Sequence, residues 1–235
     1  MNKQSNTYTV LYIIVMVVIV GAALAITSLA LKPKQQANEK ADRMCQILAS
    51  VHIEANGDNA ISEFNRYITR QIVVNAAGDS IGSDAFAVDV AAQAKLPDSD
   101  RSLPVFVCRL SDGAVKYIIP AYGSGLWGPI WGYVAVDADG STIYGAYYGH
   151  QGETPGLGAK IAEPQFSTPF EGKHLFKDGV FAPVSVVKIG MKPVANEDYV
   201  DAIAGATITS RGVGDMLANC LRPYKTFLEN VSKHN

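Results

Sequence analysis

The sequence predicts an α+β domain behind one N-terminal membrane helix. Three observations predict it: an uncharged apolar run over residues 8–31, a middle stretch in which extended segments follow one another across short turns, and helical apolar spacing near both ends of the remainder. Strands that run into strands, with helices set toward the ends, favour a mixed, mainly antiparallel sheet over a repeated strand–helix–strand plan. No Gly-x-Gly-x-x-Gly follows a strand and opens a helix, so a Rossmann nucleotide site is not expected. No internal repeat is visible.

The N-terminal tail covers residues 1–7. Residues 8–31 include Tyr12-Ile13-Ile14-Val15-Met16-Val17-Val18-Ile19-Val20 and are long enough to cross a bilayer as a helix. Ala23-Leu24-Ala25 has the small-x-small look of a signal-peptidase site. The apolar run continues past it to Leu31, which favours a retained anchor. Lys3 flanks one side, and Lys32, Lys34, Lys40 and Arg43 flank the other. Taken literally, the positive-inside rule puts the bulk of the chain in the cytoplasm, although single anchors before a large domain often break it.

Residues 32–40 are polar and read as a connector, and the domain is expected over 41–235. Ala41, Met44, Cys45, Leu48 and Val51 form a helical stripe, which the turn Asn56-Gly57-Asp58-Asn59 interrupts. Strands are expected over 67–74, 105–110, 115–120, 130–136, 142–148 and 181–189. Ser111-Asp112-Gly113 and Asp137-Ala138-Asp139-Gly140 mark hairpin turns. An acidic, loop-like approach at 196–201 leads to helical spacing from Val213, with Met216, Leu217, Cys220 and Leu221 on one face. Pro223 ends or kinks that helix, and Tyr224, Phe227, Leu228 and Val231 continue the stripe.

Charge excludes one function class. With 20 basic and 22 acidic residues and no basic run, the chain has no electrostatic footprint for nucleic acid. Cys45, Cys108 and Cys220 form no Cys-x-x-Cys pair and match neither a zinc site nor a disulfide framework. They read as small buried hydrophobes.

Three stretches carry possible chemistry. In Asp201-Ala202-Ile203-Ala204-Gly205-Ala206-Thr207-Ile208-Thr209-Ser210, small residues surround one hydroxyl, Thr207. Gly205 permits a positive φ, and a helix start behind it would aim free N–H groups at a phosphate. The same residues also suit a plain tight turn whose Thr and Ser cap a helix. In Ala121-Tyr122-Gly123-Ser124-Gly125-Leu126-Trp127-Gly128, glycines let a flat ligand approach, and Trp127 either stacks on a ring or plugs the core. His150-Gln151-Gly152-Glu153-Thr154-Pro155-Gly156-Leu157-Gly158 runs from polar side chains into a Pro-Gly turn before a short helix. His150 and Glu153 could form a metal or acid–base pair, but the other histidines are isolated. A hydrolase built on Thr207 lacks a visible base.

The motif Asp201-x-x-x-Gly205-Ala206-Thr207-x-Thr209-Ser210 resembles the covalent flavinylation motif of membrane electron-transport subunits, with Ala204 where that family places Ser or Thr. Together with Gly123-Ser-Gly-Leu-Trp-Gly128 and Glu153-Thr-Pro-Gly-Leu-Gly158, in this order behind an anchor, it resembles the NqrC family of sodium-translocating NADH:quinone oxidoreductases. The related RnfG family shares the flavinylation motif.

The resemblance implies an inner-membrane, single-pass flavoprotein whose periplasmic domain carries electrons in a chain from NADH to ubiquinone coupled to sodium export. Its cofactor would be FMN, esterified through phosphate to Thr207, with Gly205, Ala206, Ile208 and Thr209 at the phosphate end. Trp127, Glu153, Thr154, Leu157 and Gly158 would lie near the ring. Asp201 would assist FMN transfer from FAD by a separate Mg-dependent flavin transferase. Partners would be the other Nqr subunits (A, B, D, E and F), with no independent turnover. The alternatives are a protein of RnfG type, or an anchored extracytoplasmic module that binds a ligand without covalent flavin.

Overall fold

The computed structural model describes residues 6–193 and 195–234, with side chains to residue 233, and divides into two compact units, Met1–Arg43 and Met44–Asn235. Helix α1 runs over Asn6–Ala49. It is long and apolar enough to cross a membrane, and its apolar residues from Val10 to Leu31 are exposed. Thr27 returns its hydroxyl to the Ala23 carbonyl at 2.8 Å, which satisfies a polar group within the apolar run. The segment 32–40, expected as a connector, continues the helix with Pro33 inside it. Its Lys, Gln and Glu residues are good helix formers.

The second unit is built on a six-stranded antiparallel sheet in the order β2-β1-β3-β4-β5-β6. Helix α2 (Ala60–Tyr67), not foreseen from the sequence, leads directly into β1 (Ile68–Val74), and β2 (Ser80–Gly82) pairs along its edge. Helix α3 (Val90–Gln93) then precedes a four-strand meander: β3 (Leu103–Arg109), β4 (Val115–Ser124), β5 (Pro129–Asp137) and β6 (Ile143–His150). Period-2 alternation splits this sheet into two buried faces. Val105, Ile119 and Val134 join the main core, while Phe106 and Ile118 pair across β3 and β4 on the other side. There they meet the end of α1 and α2: Phe64 stacks edge-on to Phe106, and Trp131 Nε1 donates to Gln46 Oε1 at 2.9 Å.

After β6 the chain makes a 3-10 turn (Gly158–Ala162), helix α4 (Pro164–Ser167) and the small hairpin β7 (Phe176–Lys177) with β8 (Val180–Phe181). The strand expected over 181–189 is broken. Its second half is β9 (Ser185–Val187), and Pro183 stands in the gap, where it can donate no ladder hydrogen bond. The loop-like approach at 196–201 in turn contains a strand, β10 (Tyr199–Asp201), which pairs parallel to β9.

Helix α5 (Thr207–Leu221) begins six residues before Val213, at Thr207 itself, and a 3-10 turn at Arg222–Tyr224 joins it to α6 (Lys225–His234). Val213, Met216, Leu217, Cys220 and Leu221 of α5, with Phe227, Leu228 and Val231 of α6, pack on the Val105–Ile119 face and complete the main core. Cys108 and Cys220 are buried, and no disulfide joins any of the three cysteines. Burial pushes the Cys108 thiol up to about 11, as suits an inert core position.

Candidate functional site

The site forms where three separately encoded segments meet. The first is the turn between β10 and α5. Ala202 N–H donates to the Val187 carbonyl at 2.7 Å, so β9 holds the turn's entry. Gly205 then takes φ +77°, a left-handed conformation open to glycine at little cost. Ser210 locks the turn from inside the helix: its hydroxyl accepts from Ile203 N–H at 3.0 Å and donates to the Ala206 carbonyl at 2.9 Å. Ser210 belongs to the sequence motif, but its spacing there does not disclose this role.

Thr207 is the first residue of α5 and is half-buried. Ala206 occupies the N-cap position and no side chain caps the helix. The backbone N–H groups of Thr207, Ile208 and Thr209 consequently have no acceptor among the described residues, and the first turn contains no acidic residue. The expectation of a plain turn closed by Thr and Ser caps is therefore not met. Unfilled N–H groups in the first turn of a fifteen-residue helix form an anion-binding end, strengthened by the helix dipole.

The second segment is the tip of the β4–β5 hairpin, residues 125–128. Gly125 N–H donates to the Gly128 carbonyl at 2.8 Å. Trp127 is 68% exposed, which rules out a core plug and leaves its ring free to wall a ligand. Leu126 beside it is exposed as well.

The third segment, 153–158, follows β6. Glu153 is buried and joins the other two: its Oε1 accepts from Trp127 N–H at 2.8 Å, and its Oε2 accepts from the Thr209 hydroxyl at 2.6 Å. Glycines on either side make room for the carboxylate. A Cβ at Gly125 would stand 2.4 Å from Oε1, and one at Gly158 would stand 2.3 Å from Oε2. Gly125 and Gly158 are thus required by packing at this point, a reason that spacing alone does not disclose.

Leu157 is exposed and lies against Gly205, where an added Cβ would come within 3.0 Å of its Cδ2. Thr154 contributes through its backbone, its carbonyl accepting from Leu157 N–H and Ala159 N–H at 3.1 Å each, while its side chain is exposed. Asp201 sits exposed at the end of β10. The fold thus brings Trp127, Glu153, Leu157, Gly158, Gly205 and Thr209 into one contact network leading to Thr207. His150 Nδ1 accepts Glu153's own N–H at 3.3 Å, and no group of three or more metal-ligating side chains occurs among the described residues.

The arrangement pairs an unfilled anion-binding helix start with a rim of exposed apolar side chains, Leu126, Trp127, Leu157 and Ile208. It suits a ligand with a phosphate at one end and a flat apolar ring at the other.

Comparison with known proteins points the same way. Residues 125–222 match the model of the FMN-binding domain family. The C subunit of the Na(+)-translocating NADH-quinone reductase of Vibrio vulnificus is 33% identical over 83% of this chain and 85% of its own. That of Vibrio anguillarum is 31% identical over 90% and 89%. Among solved structures, the corresponding protein from Parabacteroides distasonis is 48% identical, with a TM-score of 0.78 over 84% of this chain and 96% of that one. Shewanella oneidensis NqrC is 29% identical, with a TM-score of 0.67 over 83% and 99%.

Proposed function

Because this chain belongs to the NqrC family of the Na(+)-translocating NADH-quinone reductases, we propose that it carries FMN esterified through its phosphate to Thr207 and passes electrons within that complex. The observation that carries this reading is the start of α5. A hydroxyl stands at the first helical position, and the N–H groups of Thr207, Ile208 and Thr209 lack an acceptor among the described residues.

In this reading the FMN supplies the electron-carrying chemistry, and the chain supplies attachment, position and surroundings. The Thr207 hydroxyl would give up its proton and provide the bridging ester oxygen as the pyrophosphate bond of FAD breaks and AMP leaves. The free N–H groups face the phosphate, and the +77° turn at Gly205 lets the backbone pass close by. Leu126, Trp127, Leu157 and Ile208 offer the apolar faces that a flat ring needs. A covalent tether prevents loss of a cofactor held at an exposed surface and keeps its local concentration high. Asp201, exposed just ahead of the turn, is reachable by an FAD-dependent flavin transferase and is assigned a part in that transfer.

The further partners in this reading are the other Nqr subunits (A, B, D, E and F). We place the apolar run of α1, residues 8–31, in the inner membrane and the second unit in the periplasm. The lysines following the apolar run do not oppose this strongly, since large domains translocate largely regardless of flanking charge.

The test is flavin fluorescence in a denaturing gel after co-expression of the full chain with a flavin transferase. The native chain is expected to fluoresce and Thr207→Ala to be dark. A dark native chain whose colour washes out on denaturation would replace this reading with non-covalent binding.

A further inference from the structure

Glu153 differs from the ion-paired carboxylates of the domain. Asp98 meets Arg222 and Arg101, Asp137 meets Lys116, and Asp198 meets Lys177. Glu153 is buried, yet it forms no ion pair with any described Lys, Arg or His. Both its side-chain bonds come from neutral donors, the Trp127 backbone N–H and the Thr209 hydroxyl.

A carboxylate that accepts at both oxygens has the bonding pattern of the ionised group. Buried without an ion-pairing cation, such a group is costly to the fold. Gly125 and Gly158 are nevertheless shaped around it, so the chain's packing is committed to keeping it there.

We propose that Glu153 is a positioning residue whose uncompensated negative charge holds the flavin's reduction potential low. This rests on FMN attached at Thr207. The carboxylate fixes the hairpin tip that carries Trp127 to the first turn of α5, which orients both walls of the ring site. An electron added to a ring at that rim meets a nearby anion that forms no ion pair with a described cation, and the repulsion opposes reduction.

The charge makes a prediction of sign that a purely geometric role does not. Glu153→Gln keeps the size and removes the charge, so the potential rises. Glu153→Asp keeps the charge and retains most of the low potential. Thr209→Val keeps the shape but deletes the hydroxyl donor that partly offsets the anion, so the potential falls below that of the native chain. Thr209→Val also serves if the Gln variant does not fold.

The experiment is a spectroelectrochemical redox titration of each full-length, flavin-loaded variant in detergent, with loading checked by in-gel fluorescence. Opposite shifts for Glu153→Gln and Thr209→Val support the proposal, as does a Thr209→Val decrease alone where Gln fails to fold. Equal shifts for Gln and Asp, shifts of Gln and Val in one direction, or no shift at all overturn it while the covalent-flavin reading stands. A native chain without covalent flavin removes both.

Discussion

Two helix starts in the same domain are built in opposite ways. Helix α3 is only Val90–Gln93, yet Asp89 caps it, its Oδ1 accepting from Ala92 N–H at 3.0 Å. Helix α5 has fifteen residues and supplies much of the core, but Ala206 gives it no side-chain cap and the exposed Ile208 stands in its first turn. The short helix closes itself with its own chain. The long one leaves its strongest anion-binding end open, and a rim of exposed apolar residues borders the opening. The well-held carboxylates repeat this contrast. Asp198 is surrounded by Lys177 and His174, whereas Glu153 is met only by neutral donors. Where local chemistry is finished, the residues serve the fold; where it is left open, they are the residues assigned to the flavin in the proposed function.

Thr207→Ala tests the open end most severely. The expected outcome is complete loss of covalent flavin, while thermal unfolding of the unloaded protein shifts by no more than about 0.5 kcal/mol, since Thr207 makes no capping bond. A large loss of stability would place Thr207 among the fold-serving residues and break the comparison. Leu217→Ala, on the packed part of the same helix, should do the reverse. Leu217 is fully buried, and its truncation is expected to cost about 2–5 kcal/mol in a denaturant titration. Flavin loading should survive below the lowered melting temperature.

Asp198 sharpens the contrast between carboxylates. Burial pushes its pKa up, but the Lys177 ammonium and the backbone and ring N–H groups of His174 outweigh that and hold it at about 2. A carboxyl depressed in the folded state stabilises the protein above its unfolded pKa, and that contribution fades as pH falls from about 4 through about 2. Because its partners are partly exposed and solvent screens the cluster, Asp198→Asn should cost no more than about 1 kcal/mol at pH 7 and show a shallower stability loss across that acid window. A native-like acid profile in the variant would show that the cluster is not a stabilising element.

Much of this architecture is legible in the amino-acid sequence. The hairpins at Ser111-Asp112-Gly113 and Asp137–Gly140 combine local turns with period-2 alternation, and both signals lie within a few residues of each other. Gly205 is readable because only its neighbours and its conformation matter. The start of α5 is hidden: Thr-Ile-Thr is β-branched and weakens helical spacing until Val213, so the turn that places Thr207 at the helix end leaves little periodic signal. The β9–β10 pair is hidden for another reason, since parallel pairing joins residues such as Val186 and Val200 that no short motif links. Glu153 can be singled out as a site residue, but its two hydrogen bonds tie it to Trp127 and Thr209 in other segments. The requirement for Gly125 and Gly158 exists only once those segments have met.

The smallest expected effect lies at the closed helix start. Asp89 accepts one hydrogen bond from the first turn of α3, and Asp89→Ala removes that acceptor while leaving the helix's apolar contacts in place. Loss of an N-cap of this kind costs about 1 kcal/mol. A denaturant titration of the unloaded chain should show a decrease of that size with an unchanged slope. Flavin loading should remain at the native level, because α3 contributes no residue to the network around Glu153. Thr207→Ala and Asp89→Ala then form a crossed pair: one removes the flavin and spares the fold, the other weakens the fold slightly and spares the flavin. If Asp89→Ala also reduced loading, the helix starts would be energetically coupled, and the open end of α5 would depend on the closed end of α3.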